Sequence, residues 1–184
     1  MELGAMQERL RSSRGRARPA GSRRLDDSLP APERIALGAD HGGFALKERL
    51  KEFLLESGYE VDDVGTTGPA AVDYPPLARA VAQRVGSGAC SRGIFVDATG
   101  LGSCMAANRV RGVRCATCHD ERTAKSSRSH NDANMLALGA AILHPGYARR
   151  IVRLWLATAF EGGRHARRVE QIMAPDVERG TSHA

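Results

Sequence analysis

Gly93-Ile-Phe-Val-Asp-Ala-Thr-Gly-Leu-Gly102 joins a short apolar run to an acidic residue and a turn with two glycines, and the helical segment Ser103 to Arg109 follows. An apolar run this short, closed by turn residues, reads as a strand buried on both faces. The same order of strand, polar turn and helix recurs on either side. Upstream, Arg34-Ile-Ala-Leu-Gly-Ala39 runs into Asp40-His41-Gly42-Gly43. Leu46, Leu50, Phe53 and Leu54 then stand at helical spacing, with Gly58 placed to stop the helix. Tyr59 to Val64 is a second strand, and after the loop Gly65 to Pro69 a helix opens at Pro75 and Pro76 and runs to about Val85. Downstream, Val113 to Cys118 is a fourth strand, Glu121 to His130 a polar helix and Met135 to Leu138 a fifth strand. Beyond Pro145, Tyr147, Ile151, Leu154, Trp155 and Thr158 share one stripe of a long helix, and a last short helix carries Val169, Ile172 and Met173. The alternation predicts an α/β fold, a three-layer Rossmann-like sandwich around a five-stranded parallel sheet.

The chain has 184 residues, 42% of them hydrophobic and 26% charged, which suits one compact domain. No run of eighteen apolar residues occurs, so a transmembrane helix is excluded. The net charge is +6, but residues 1–32 hold seven Arg against Glu2, Glu8, Asp26 and Asp27, so half of the excess lies there. The rest is not basic enough, and has too few aromatic platforms among its cations, to read as a nucleic-acid binder. Residues 1–32 are expected to be a disordered Arg-rich tail, since they offer almost nothing apolar to a core. A targeting peptide and a nucleic-acid arm are the other readings of that stretch. Residues 33–176 are the expected domain and 177–184 a flexible C-terminal tail. Without an apolar secretory segment, a cytoplasmic protein is expected, with no membrane partner.

Cys115-Ala-Thr-Cys118-His119 matches the pattern of c-type haem attachment. Residues three apart on a strand point to opposite faces, however, which also opposes a zinc or redox pair. Two thiols on a buried strand are the expected reading, in a reducing compartment.

Open parallel sheets bind ligands at the carboxyl ends of their strands, near a switch in strand order. Asp40 and His41 follow the first strand, Asp97 to Gly102 the third, and His119 and Asp120 the fourth. His130 and Asn131 stand just before the fifth. The turn ending in Gly102 can aim backbone amides at an anion, helped by the dipole of the next helix. It is neither a dinucleotide fingerprint nor a P-loop, because Met105 takes the third glycine position and no Gly-Lys follows. By itself it is as compatible with a structural turn as with an anion cradle.

Five motifs occur in one order over residues 34–174: Gly38-Ala-Asp-His-Gly-Gly-Phe44, Asp73-Tyr-Pro75, Thr99-Gly-Leu-Gly102 with Ala106-Ala-Asn108, His130-Asn-Asp-Ala-Asn134, and Glu161-Gly-Gly-Arg-His165 with Arg168. Together they resemble the ribose-5-phosphate isomerase B and galactose-6-phosphate isomerase (LacA/LacB) family. The resemblance implies a metal-independent aldose–ketose isomerase, without cofactor, acting through an enediolate on a small sugar phosphate. A pentose 5-phosphate such as ribose 5-phosphate, or a related tetrose or hexose phosphate, would be the substrate. It implies a homodimer or dimer of dimers whose sites borrow residues from both subunits. His130 would open the sugar ring, with Asp40 as companion and Thr99 beside the base. His41, Arg164 and Arg168 would bind phosphate, while Tyr74 and Asn131 would contact the sugar. The amides of Ala98, Gly100 and Gly102 would steady the enediolate.

The chain departs from the family at three positions. Asp97 stands where many members have a catalytic cysteine. Ser103 stands where cysteine-less members have a glutamate, and Ala141 where an arginine commonly reaches the partner's phosphate. Asp97 is therefore expected to be the base, with a capping aspartate as the other reading. A non-catalytic or partner-dependent sugar-phosphate-binding subunit is the alternative function.

Overall fold

Runs of Ile, Leu, Val and Ala without polar interruption are stable only where both faces of a strand are covered. In a computed structural model, which describes residues 33–175, three such runs form the middle of the sheet. They are β1 (Arg34–Ala39), β3 (Arg92–Asp97) and β5 (Met135–Gly139), buried throughout except at Arg34 and Arg92. The shorter, more polar β2 (Glu60–Asp63) and β4 (Cys115–Thr117) lie at the edges. All pairs are parallel, in the order β2-β1-β3-β5-β4. The chain leaves β1 toward β2 and returns to β3 on the other side, so the switch in strand order falls between β1 and β3.

Alternate strand residues serve different layers, as the period of two requires. Ile35, Leu37, Ile94, Val96, Leu136 and Leu138 pack with α1 (Phe44–Glu56), α4 (Glu121–Ser129) and α5 (Pro145–Ala157) through Leu50, Leu54, Ala124, Ile151 and Trp155. Ala36, Phe95, Met135 and Ala137 pack with α2 (Tyr74–Gly86) and α3 (Leu101–Ala107) through Ala78, Val81, Ala82 and Ala107. The second layer lies close: a Cβ at Gly38 would sit 2.7 Å from the Val81 side chain. The last helix, α6, spans Arg164–Met173. No helix among the described residues is long and apolar enough to cross a membrane.

Two element starts differ by two residues from the sequence reading. β4 starts at Cys115 rather than Val113, because Val113 N–H closes a turn onto Val110 and Arg114 N–H is taken by the Asn134 side chain (2.7 Å). α3 starts at Leu101, directly after Gly100, whose φ of 77° brings the chain out of the loop. Cys115 and Cys118 enter opposite layers, so the two thiols cannot share a haem or a metal. The expected tails, 1–32 and 177–184, lie outside the described residues.

Candidate active site

At the carboxyl edge of the sheet, Asp40 and His41 follow β1 and Asp97 ends β3. Asp40 N–H donates to Val96 O (3.2 Å), and its buried carboxylate accepts Gly43 N–H (2.9 Å). This turn delivers α1 onto β3 so closely that a Cβ at Gly43 would lie 2.1 Å from the Val96 carbonyl oxygen. His41 is exposed, with Nδ1 3.2 Å from Val72 O and 3.3 Å from Val72 N, so its tautomer decides which bond forms. Tyr74 opens α2 with its hydroxyl against Gly102, where a Cβ would stand 2.4 Å from the phenolic oxygen. A cavity of about 540 Å³ opens beside them, lined by Gly65, Thr66, Val72 and Asp73.

Asp97 is 5% exposed and turns its carboxylate into the following loop. Oδ1 accepts the N–H groups of Thr99 (2.8 Å) and Gly100, and Oδ2 accepts that of Ser103 (3.2 Å). The loop carbonyls are held as well. His119 Nε2 donates to Thr99 O (2.9 Å), and Thr117 Oγ1 donates to Gly100 O (2.8 Å). The expectation that the whole run of amides faces the ligand therefore changes. The amide of Gly100, like that of Thr99, serves Asp97, while those of Ala98 and Gly102 have no acceptor among the described residues. Ser103, in the glutamate slot, has a buried hydroxyl without a partner.

Cys104 lies one turn into α3, where its contacts are with Cys115, Thr117 and Asn108 rather than with the loop. Hydrogen bonding to the Cys115 thiol outweighs burial, and with help from Thr117 and Asn108 it brings the Cys104 thiol down to about 6. The same contact, with burial, holds Cys115 well above the ordinary thiol range.

The remaining candidates lie at the opposite edge. α4 runs back along the sheet, so His130 and Asn131 arrive where β5 begins, whereas Asp97 pairs with Gly139 at its other end. The length of β5 alone separates the two levels by about 13 Å. Arg128 fixes the turn by donating to Asp132 Oδ1 (2.8 Å) and Ala133 O (2.7 Å). Arg114 adds bonds to Asp132 O and Oδ2, both 2.8 Å. Asp132 takes a positive φ of 46°, a conformation that Asp tolerates better than most residues.

His130 Nδ1 lies 3.2 Å from Ser126 Oγ, and its ring stacks on His165 at 4.3 Å with 4° between planes. Glu161 Oε2 is 3.8 Å from His130 Nε2 and 4.0 Å from His165 Nε2. Burial first, then the neighbouring charges of His130, Arg164 and Arg168, push His165 below the ordinary imidazole range against the opposing pull of Glu161. These donor atoms all lie within 4.8 Å of one another, close enough to suggest a metal triad. The ring geometry opposes that. A metal bonds imidazole nitrogen in the ring plane, and two parallel stacked rings do not converge on one point.

Arg164 and Arg168 are exposed one turn apart on α6. A cavity of about 600 Å³ at this edge is lined by Arg109, Arg111, Arg114, Asn131 and Ile172. Sequence reading missed Arg114, and its signal was a cation interrupting an otherwise apolar run just ahead of a strand. It also left Glu161 and His165 without roles, although their i, i+4 spacing was visible. One chain thus gathers Asp40, His41, Tyr74, Asp97, Ala98, Thr99, Gly100 and Gly102 at one edge of the sheet. It gathers His130, Asn131, Arg164 and Arg168 at the other.

The sequence profile of the Ribose/Galactose Isomerase family matches residues 35–172. The chain is 42% identical over 147 residues to ribose-5-phosphate isomerase B of Escherichia coli (strain K12), an alignment covering 80% of this chain and 99% of that protein. It is 39% identical over 140 residues to D-erythrulose-4-phosphate isomerase of Pectobacterium atrosepticum, covering 75% and 91%. The structure of Clostridium thermocellum ribose-5-phosphate isomerase B superposes with a TM-score of 0.75 at 49% identity, covering 76% of this chain and 95% of that one.

Proposed function

We propose that this chain, which belongs to the ribose/galactose isomerase family, interconverts the aldose and ketose forms of a small sugar phosphate. A pentose 5-phosphate or a tetrose 4-phosphate is the preferred class, as the names of its relatives suggest. The observation that carries the reading is a buried carboxylate at the end of β3, leading an amide loop at the switch point of a parallel sheet. Asp97 removes the proton from the hydroxyl-bearing carbon beside the carbonyl and returns it to the carbonyl carbon, while the hydroxyl proton passes to the former carbonyl oxygen. A carboxylate has about four lone-pair positions; three accept amides here, and one on Oδ2 is left for the proton. The amides of Ala98 and Gly102 are the donors left for the developing enediolate oxygen. His130 and Asp40 open the ring, Thr99 lies beside the base, Tyr74 and Asn131 contact the sugar, and His41, Arg164 and Arg168 hold the phosphate. No step requires a metal or an organic cofactor.

The two edges of one sheet cannot close on a single small ligand, so the working site takes the Asp97 edge from one copy and the His130 edge from another. The exposed Leu101 and Met105, one turn apart on α3 beside the loop, supply apolar surface for that association.

The three amides on Asp97 also favour a second reading, in which the carboxylate only caps the loop and the chain is a binding subunit without its own turnover. One experiment separates them: turnover and ligand binding of the purified chain and its Asp97→Asn variant, across tetrose, pentose and hexose phosphates. If Asp97 is the base, the wild type turns over at least one of these sugars and Asp97→Asn loses roughly a hundredfold in kcat, while ligand affinity persists. Binding without turnover in the wild type would establish the second reading instead.

A further inference from the structure

A histidine at a helix end with 43% of its side chain exposed would ordinarily sample several rotamers, which suits no proton-transfer role. His130 is held on three sides. The Ser126 hydroxyl meets Nδ1 at 3.2 Å, the His165 ring lies parallel at 4.3 Å, and Glu161 stands 3.8 Å from Nε2. Of the supports, the His165 side chain is 9% exposed, and Glu161 N–H donates to Ser129 O (3.0 Å), which ties the Glu161 backbone, though not its 57%-exposed side chain, to the end of α4. At 3.8 Å the carboxylate is beyond hydrogen-bond distance. It acts on Nε2 through its charge while leaving that nitrogen open to a ligand oxygen.

We propose that His165 and Glu161 are positioning residues for His130: the His165 ring fixes the plane of the imidazole, and Glu161 selects the tautomer with its proton on Nε2. The inference rests on the reading of His130 as the ring-opening group. Burial and the adjacent Arg164 and Arg168 disfavour a charge on His165, so it serves as a neutral platform rather than a second acid.

Ring opening moves a proton from the anomeric hydroxyl and delivers one to the ring oxygen. An aldopentose 5-phosphate needs that step. An aldotetrose 4-phosphate carries its phosphate on the oxygen that would close a furanose ring, so it is already open. The positioning residues should therefore matter for the first substrate far more than for the second.

The test compares ribose 5-phosphate with erythrose 4-phosphate in wild type, His165→Ala, His165→Phe, Glu161→Ala and His130→Asn, and reads the His130 tautomer by ¹⁵N spectra of the ligand-free protein. His165→Ala and Glu161→Ala are expected to lower kcat on ribose 5-phosphate on the order of tenfold, a fraction of the full acid–base contribution, with KM little changed. The loss on erythrose 4-phosphate should be several-fold smaller. His165→Phe should restore most of the rate, since a flat neutral ring replaces another. Wild type should show the Nε2–H form, which Glu161→Ala converts to a mixture. Equal losses on both sugars, no rescue by His165→Phe, or an unchanged tautomer in Glu161→Ala would overturn the proposal. Retained ribose 5-phosphate turnover in His130→Asn would instead remove the ring-opening reading, while the spectra still decide whether Glu161 sets the tautomer.

Discussion

Cys104 and Asp97 stand four and three positions either side of Gly100, yet their surroundings give them different chemistry. Cys104 ionises at about 6 because the Cys115 thiol, Thr117 and Asn108 stabilise its anion, against the cost of burial. It is therefore mostly thiolate at pH 7. The thiolate is the reactive form, so alkylation should be fastest above about pH 6 and fall as pH drops through that value. Iodoacetamide at neutral pH, followed by peptide mass mapping, should label Cys104 ahead of Cys90, Cys115 and Cys118. Cys115→Ala should slow that labelling at pH 7. No preference for Cys104, or a rate independent of pH between 5 and 7, would contradict the assignment. Asp97 was legible in the sequence as a candidate site residue, because an acid at a strand end ahead of a glycine turn sits where such sheets bind ligands. That its carboxylate gathers three amides was not, since this depends on the loop closing through the positive φ of Gly100.

The three central strands could be read as apolar runs between turn residues, because buried parallel strands need unbroken hydrophobic sequence. Lys47 defied such reading. It occupies a helix position that is 1% exposed, among Leu46, Leu50 and Phe53. Its ammonium reaches Asp63 at the end of β2 (2.7 Å) and donates to the carbonyls of Gly65 and Thr66 (3.1 Å each), pinning the loop beside the carboxyl-edge cavity. Burial raises the Asp63 pKa, but hydrogen bonds from Lys47 and Lys51 outweigh it and hold the carboxyl below its ordinary value. A depressed carboxylate stabilises the fold above its unfolded pKa near 3.8, and that contribution is lost as pH falls through the lower folded value. Lys47→Ala leaves Asp63 with Lys51 alone and two carbonyls without their donor. It should cost about 1–3 kcal/mol, the range for leaving buried polar groups without their partner. Denaturant unfolding at pH 7 reads this as a lower midpoint, and an unchanged midpoint would show that Lys51 or water replaces Lys47 fully. The start of β4 was misplaced for a related reason: the Asn134 side chain, twenty residues away, takes the Arg114 N–H that the ladder would have used.

At the scale of the molecule, parallel topology decides where the candidate residues go. Residues after β1 and β3 must lie at the carboxyl edge, and residues between α4 and β5 must lie at the amino edge. The separation was therefore implicit in the strand–helix alternation. Which residues would face each other across two copies was not, because that depends on how two folded surfaces fit together. On the proposed function, a working site needs both edges, each from a different copy. Asp97→Asn and His130→Asn chains, each expected to be inactive alone on ribose 5-phosphate, should complement on that sugar when co-expressed. Random pairing places both native residues in about a quarter of all sites, as follows from a symmetric dimer with two equivalent sites. Turnover of the co-expressed mixture should therefore recover to about a quarter of the wild-type rate. A mixture as inactive as its parents, with heterodimers shown by differential tagging, would contradict a site shared between copies.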